Sequence, residues 1–191
     1  MKSLIVLSAL LSSSAYAVPL ALDPAHSGIT FEIKHLMVST VRGSFNEFSG
    51  AIDWDEKDPA KSKFDFNVKA ASIDTANGKR DEHLRSPDFF DVAKFPEATF
   101  KTASLKAAGK NLYTLEGDLT IHGVTKRAKF KLAALGKMKD PFGNEKQLFQ
   151  AETKLSRKDF GLTYNAALET GGVLIGDEVK LVVDLQAPAL P

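Results

Sequence analysis

Apolar residues recur at every second position along most of this chain, and few folds accept that period. Phe31, Ile33 and His35 alternate with Thr30, Glu32 and Lys34, and Phe64-x-Phe66-x-Val68-x-Ala70 alternates with Lys63, Asp65, Asn67 and Lys69. A spacing of two puts successive apolar side chains on one face of a β-strand, so each run reads as a strand with a buried face and a wet one. The pattern continues over residues 113–121, 128–134, 149–155 and 179–185, and more weakly over 98–106. Val41-x-Gly43-x-Phe45 also alternates, and Phe48-x-Gly50-x-Ile52-x-Trp54 resumes it one residue out of phase. Such a slip at Asn46-Glu47 is the sequence form of a β-bulge in one long, bent strand, and Gly43 and Gly50 suit the bend.

Turn residues separate the runs: Ala108-Gly109-Lys110-Asn111, His122-Gly123-Val124 and Asp140-Pro141-Phe142-Gly143-Asn144. The count predicts an all-β fold, an eight-stranded antiparallel up-and-down barrel, since closing a meander removes its exposed edges. A barrel of that size is either filled by side chains or just wide enough for one small ligand, and alternation alone favours the filled form. Residues 72–96 break the period, and short helices are predicted there. One covers 77–85; a second starts at Ser86-Pro87-Asp88, with Ser86 as N-cap and Pro87 in the first helical position. A long connection within a tight meander reads as a lid or binding loop.

The first 17 residues stand apart from this scheme. Lys2, the apolar run from Leu4 to Leu11 and the Ala15-Tyr16-Ala17 ending have the form of a secretory signal peptide, which predicts cleavage after Ala17, a periplasmic protein and one folded domain over 18–191. Charge is nearly balanced, 25 Lys and Arg against 24 Asp and Glu, without a basic block, which argues against nucleic acid or an anionic membrane as the main partner; stable membrane insertion is not expected. The absence of cysteine removes thiol chemistry, disulfides and Cys-based metal sites. His26, His35, His83 and His122 show no H-x-H or H-E-x-x-H spacing, so no metal site is predicted. There is no G-x-S-x-G elbow, and Gly171-Gly172-x-x-x-Gly176 lacks the Lys-Ser/Thr of a phosphate loop and reads as a turn. No catalytic residue is predicted.

Several motifs follow one another along the chain: Asp23-x-x-His26-Ser27-x-Ile29-x-Phe31-x-Ile33-Lys34-His35 and Val41-x-Gly43-x-Phe45-x-x-Phe48-x-Gly50, then Ser72-Ile73-Asp74-Thr75 with Arg80-Asp81-x-His83-Leu84-x-Ser86-x-Asp88-Phe89-Phe90-Asp91 and Phe95-Pro96. Gly117-x-Leu119-Thr120-Ile121-x-Gly123-Val124-Thr125-Lys126, Arg157-x-Asp159-Phe160-Gly161 and Gly176-Asp177-x-Val179 complete the order. In this order the runs resemble the YceI-like family of exported polyisoprenoid-binding proteins. The resemblance implies a lipocalin-like barrel whose apolar tunnel carries a long-chain lipid, a polyisoprenoid of the quinone or prenyl phosphate type, as ligand and without another cofactor. It reverses the balance between filled and hollow. Phe31, Ile33, His35, Phe45, Phe48, Phe64, Phe66, Val68, Phe89, Phe90, Phe130 and Phe149 are then the expected tunnel lining.

Asp74, Arg80, Asp81, His83, Arg157 and Asp159 are expected at the mouth, either meeting a polar head group or pinning residues 72–96 over the barrel through Arg80 and Asp81 pairing with Asp74 or with Arg157-x-Asp159. The predicted partners are a small hydrophobic ligand and, transiently, a membrane or quinone- or lipid-handling protein, with the chain a monomer or dimer. An enzyme acting on a lipid or isoprenoid quinone through Arg80, Asp81 and His83, and a structural scaffold of the stressed envelope, are the competing readings.

Overall fold

The computed structural model describes residues 20–166 and 173–188. The proposed leader, residues 1–17, and the Gly171-Gly172 turn lie outside them. The strands are β1 (Leu20–Ala21), β2 (Gly28–His35), β3 (Ser39–Phe45), β4 (Phe48–Asp53), β5 (Lys63–Lys69), β6 (Ile73–Asp74), β7 (Glu97–Gly109), β8 (Leu112–Ile121), β9 (Val124–Lys139), β10 (Glu145–Ser156) and β11 (Ile175–Pro188), with one helix, α1 (Gly78–Arg85). They form a single curled antiparallel sheet in the order β1-β4-β5-β7-β8-β9-β10-β11-β2-β3-β6.

The ladder holds eleven segments, not the eight that the alternation suggested. Two of the additional ones, β1 and β6, are two residues long, too short to show a period. The third arises at the predicted slip: β3 pairs with β2 and β4 pairs with β5, and only Asn46 and Glu47 lie between them. β3 and β4 are near opposite ends of the ladder yet consecutive in the chain, so this joint draws the two flanks of the sheet together. Register shifts at Leu148/Phe149 and Thr102/Ser104 add further curl. The three predicted turns fall where the strands end, at Gly109, Ile121 and Lys139.

Only one helix forms within 72–96. Asn77 caps it by accepting from the Arg80 N–H at 3.1 Å. Ser86 ends α1 instead of starting a second helix: its N–H and Oγ both donate to the His83 carbonyl, at 3.1 and 2.8 Å. Its own carbonyl then accepts from Phe89 and Asp91 in a tight turn. Pro87 lacks an N–H and restricts Ser86 to extended backbone, so the capping pattern at Ser86-Pro87-Asp88 is spent on a helix end.

Strand polarity gives the curled sheet two unlike ends. At one, the starts of β5, β8 and β10 meet the end of β4, and Trp54 packs edge-on against Phe149 (5.1 Å between centroids), Tyr113 (5.6 Å) and Phe64 (6.3 Å). Phe64 and Phe149 also meet edge-on at 5.2 Å, and both are fully buried. These four rings form an aromatic floor. At the other end, α1 and residues 157–166 lie across the ends of β2 and β10 and the start of β11. No helix among the described residues is long and apolar enough to cross a membrane.

Candidate functional site

Above the aromatic floor the inward faces of the strands enclose a cavity of about 390 Å³. That lies within the range of small-molecule sites, roughly 300–1,000 Å³. Its walls follow the period-2 pattern: Ile29, Phe31, Ile33 and His35 of β2 lie beside Val183, Leu181, Val179 and Ile175 of β11. Lining positions on β11 extend from Ile175 to Leu185, about 30 Å of strand at 3.3 Å per residue. The space is long as well as apolar.

The hollow has a local cause. Gly43 stands opposite Phe31 in the β2–β3 ladder, and a Cβ on Gly43 would lie 2.5 Å from Phe31 Cζ. Gly50 stands opposite Phe66, and a Cβ there would lie 2.3 Å from Phe66 Cδ1. A Cβ on Gly117 would likewise meet Phe100 Cζ at 2.4 Å. Each ring lies over the bare backbone of a neighbouring strand, along the wall instead of across the axis.

Ten of the twelve expected lining residues border the cavity: Phe31, Ile33, His35, Phe45, Phe64, Phe66, Val68, Phe89, Phe90 and Phe130. Phe48 and Phe149 do not. Phe149 has the inward phase but lies beneath the cavity, in the floor against Trp54 and Phe64. Phe48 is the first residue after the Asn46–Glu47 joint and stays only half-buried there. Leu115, Leu119, Leu132 and Leu181, aliphatic residues of the alternating strands, also border the cavity, and the abundance of phenylalanine does not point to them. Phe160, Leu162 and Tyr164 follow β10 at alternate positions and border it too; Phe160 stands in the Arg157-x-Asp159-Phe160-Gly161 run, but the alternation is too short there to read as a strand.

At the α1 end the polar residues hold the cover in place, with partners other than those expected. Buried Asp81 accepts from the Thr75 N–H at 3.0 Å and from Thr75 Oγ1. Arg80 donates from Nε to Thr75 Oγ1 at 2.7 Å and from Nη2 to the Thr75 carbonyl at 2.8 Å. Arg85 fastens the same segment by donating to the carbonyls of Ala71 and Ile73, each at 2.7 Å. Pairing of Arg80 or Asp81 with Asp74, Arg157 or Asp159 does not occur among the described residues. Asp74 is exposed and accepts from Ala76 N–H at 2.8 Å, and Asp159 is exposed in the single turn Arg157–Phe160. Thr75 is the residue that both side chains share, and the run Ser72-Ile73-Asp74-Thr75 by itself gives no reason to rank it above Asp74.

Arg157 is buried and donates to the carbonyls of Gly176 (2.8 Å), Tyr164 (2.9 Å) and Leu162, with Asp177 Oδ1 at 3.3 Å. Burial pushes its guanidinium below the usual arginine value, and the Asp177 charge opposes that shift. His83 Nε2 is 2.8 Å from Asp88 Oδ2, and its ring packs edge-on to Phe89 and Tyr164, at 5.0 and 4.9 Å. Arg80, His83 and Arg157 all border the cavity, whereas Asp74, Asp81 and Asp159 do not. No group of three or more His, Asp or Glu side chains among the described residues could hold a metal ion.

A family model described as the YceI-like domain matches residues 20–187. Protein YceI of Salmonella newport is 36% identical over 177 residues, covering 92% of this chain and 89% of that protein. A crystal structure of the Campylobacter jejuni YCEI protein is 33% identical with a TM-score of 0.69, covering 89% of this chain and 97% of that one. A polyisoprenoid-binding domain from Saccharophagus degradans, 19% identical, shares the fold with a TM-score of 0.65 over 89% of this chain and 98% of that one.

Proposed function

Because this chain belongs to the YceI-like family, we propose that it is a non-catalytic carrier which shields a long-chain apolar lipid of the polyisoprenoid class inside its curled sheet. The observation that carries this reading is the elongated cavity of about 390 Å³ with its aliphatic and aromatic walls. The same fold serves as a polyisoprenoid-binding domain in Saccharophagus degradans. The leader sequence supports export, with maturation after Ala17 and action in the periplasm.

Chain length follows from magnitudes. Burying ten methylene groups gives about 8 kcal/mol gross, at roughly 0.8 kcal/mol each. Micromolar affinity needs about 8 kcal/mol net, after the costs of association and ordering. Short apolar molecules therefore bind weakly, and useful affinity needs a longer chain.

The test is to purify the exported protein, record its native mass and extract it with organic solvent. A long-chain lipid in stoichiometric amount is the expected result, on a polypeptide starting at Val18. Protein that is empty in every preparation, and that takes up no polyisoprenoid when one is offered, refutes the carrier reading.

A further inference from the structure

We propose that the tip of the β2–β3 hairpin, Leu36, Met37 and Val38, docks the protein on a phospholipid bilayer, so that cargo passes between membrane and cavity without crossing water. This rests on the carrier reading above and adds to it the surface through which the lipid is taken or delivered.

The three side chains stand in the open, 44%, 69% and 82% exposed. They follow His35, which borders the cavity and pairs with Ile175 of β11. The Leu36 N–H donates to the Leu174 carbonyl at 2.9 Å, and Leu174 and Ile175 are themselves cavity wall. The tip therefore projects beyond the rim at the α1 end. Val173 precedes that rim and is also exposed. Asn165 accepts from the Ile175 N–H at 3.0 Å, which brings its neighbour Tyr164, exposed and yet a cavity-wall residue, to the same place. Apolar groups thus continue from the interior out to the tip. The other large apolar side chains exposed among the described residues, Leu112, Leu135, Met138 and Phe142, lie at the floor end.

The turn is not one that such residues favour. The Val38 N–H donates to the His35 carbonyl at 3.3 Å, closing a two-residue turn with φ of 52° at Leu36 and 61° at Met37. Asn-Gly fits that geometry without strain, whereas Leu-Met strains the backbone and leaves both side chains in water. The fold gains little from this arrangement, and strain kept at an exposed site points to a use. The cargo decides what covers the tip. Passage of a long apolar chain through water would expose all the surface that the cavity hides, whereas a bilayer in contact with the rim hides it throughout. The surroundings of the tip fit a bilayer. Between Glu32 and Glu47 the chain has no acidic residue, and Glu32 is paired with Arg42. Lys34 is exposed and lies two residues behind Leu36, about 7 Å of strand. Interfacial segments sink about 5–10 Å into the headgroup boundary, which leaves the Lys34 ammonium among lipid phosphates. Net charge is only +1, so apolar insertion, not attraction at a distance, supplies most of the binding.

The test uses delipidated, exported protein and vesicles of phosphatidylethanolamine and phosphatidylglycerol that carry a nonaprenyl alcohol. Flotation reads docking, the rate of uptake from vesicles reads transfer, and equilibrium loading from detergent reads the cavity alone. The unaltered protein should float with the vesicles and take up the alcohol at a rate that rises with vesicle concentration. M37D/V38D, at two side chains that do not border the cavity, should weaken flotation and slow uptake by at least about tenfold, with loading from detergent kept. M138D/F142D, at the floor end, should leave all three unchanged. In V38W, brominated acyl chains should quench the added tryptophan, whereas Trp54, the only natural one, should not respond in the unaltered protein. Protein that loads from detergent but neither floats nor takes cargo from vesicles overturns the inference and leaves the carrier reading intact. Folded M37D/V38D with docking and uptake undiminished also overturns it, and so does an equal loss in M138D/F142D. A dimer that M37D/V38D splits, with vesicle binding unaffected, would assign the tip to a second copy of the chain and overturn it too. If M37D/V38D fails to fold, V38D alone decides, at the most exposed of the three side chains. If nothing loads from either source, the carrier reading falls and this inference with it.

Discussion

Replacing Gly43 with alanine tests why the interior is hollow. The added methyl would stand 2.5 and 2.7 Å from Phe31 Cζ and Cε1 and 2.8 Å from the Asp74 carbonyl oxygen, all closer than real contacts allow. The Asp74 carbonyl belongs to a β6 residue paired with Ser44, so it has little room to give; the Phe31 ring does, by tilting off the wall into the cavity. Overpacking of this kind costs about 1–3 kcal/mol. For a domain of this size that is a fall in melting temperature of roughly 2–4 °C per kcal/mol. Uptake of a long-chain lipid should fall as well, because the tilted ring occupies its path. The decisive measurement is a double-mutant cycle on stability and on lipid uptake. With Phe31→Leu in place there is no ring to displace, so Gly43→Ala should cost at least about 1 kcal/mol less than it does alone. Some penalty remains, since the Asp74 oxygen is still near. Strict additivity of the two changes, or a Gly43→Ala protein as stable and as well loaded as the parent, would show that the glycine does not hold the ring against the wall.

Three further outcomes follow from individual contacts. Leu36 and Met37 occupy the tip of the β2–β3 hairpin with φ of 52° and 61°, where bulky residues are strained and Asn-Gly is favoured, so L36N/M37G should stabilise the fold by about 1–3 kcal/mol in denaturant titration with an unchanged m-value; a loss of stability would mean that the exposed side chains make contacts worth more than the strain. Phe149→Ala removes a fully buried ring from beneath the cavity and should cost about 3–5 kcal/mol, a larger loss than truncation of the half-buried Phe48; a smaller loss would deny the floor its structural role. Asp23 is held below the usual carboxylate value by the hydrogen bond from Lys146 and then by His26, so its contribution is present above the unfolded carboxylate range and lost as pH falls through the lowered folded value. The difference in melting temperature between the parent and Asp23→Asn should therefore shrink toward zero on acidification, and a gap that is constant with pH would refute the assignment.

Sequence and structure part company where geometry depends on neighbours that are distant in the chain. The strands were legible because a period of two reports which face a residue takes whatever its partner is. The Asn46–Glu47 joint was legible because a phase change is local. Arg80 and Asp81 could be recognised as cover-holding groups, but their shared partner Thr75 depends on how residues 73–76 fold back on the start of α1. Phe149 pointed inward as expected, yet only the pairing of β10 with β9 and the position of Trp54 put it under the cavity instead of beside it.

The question that alternation could not settle was whether the interior is filled or empty, and the answer resides in pairs. A phenylalanine facing inward next to a bulky cross-strand neighbour must project toward the axis, where opposing rings interlock. Opposite a glycine it can lie flat. Phe31 faces Gly43 and Phe66 faces Gly50, so two of the largest wall residues are folded against the sheet at positions where a side chain on the next strand would have forced them toward the axis. The glycines could be read in the sequence as aids to bending. Their second role, keeping the centre open for a hydrocarbon, exists only once register assigns each of them a ring. In this fold, cross-strand pairing of glycine with phenylalanine distinguishes a wall from a core. A relative that replaced Gly43 and Gly50 by larger residues while keeping Phe31 and Phe66 should have its interior closed, and should carry no long-chain lipid.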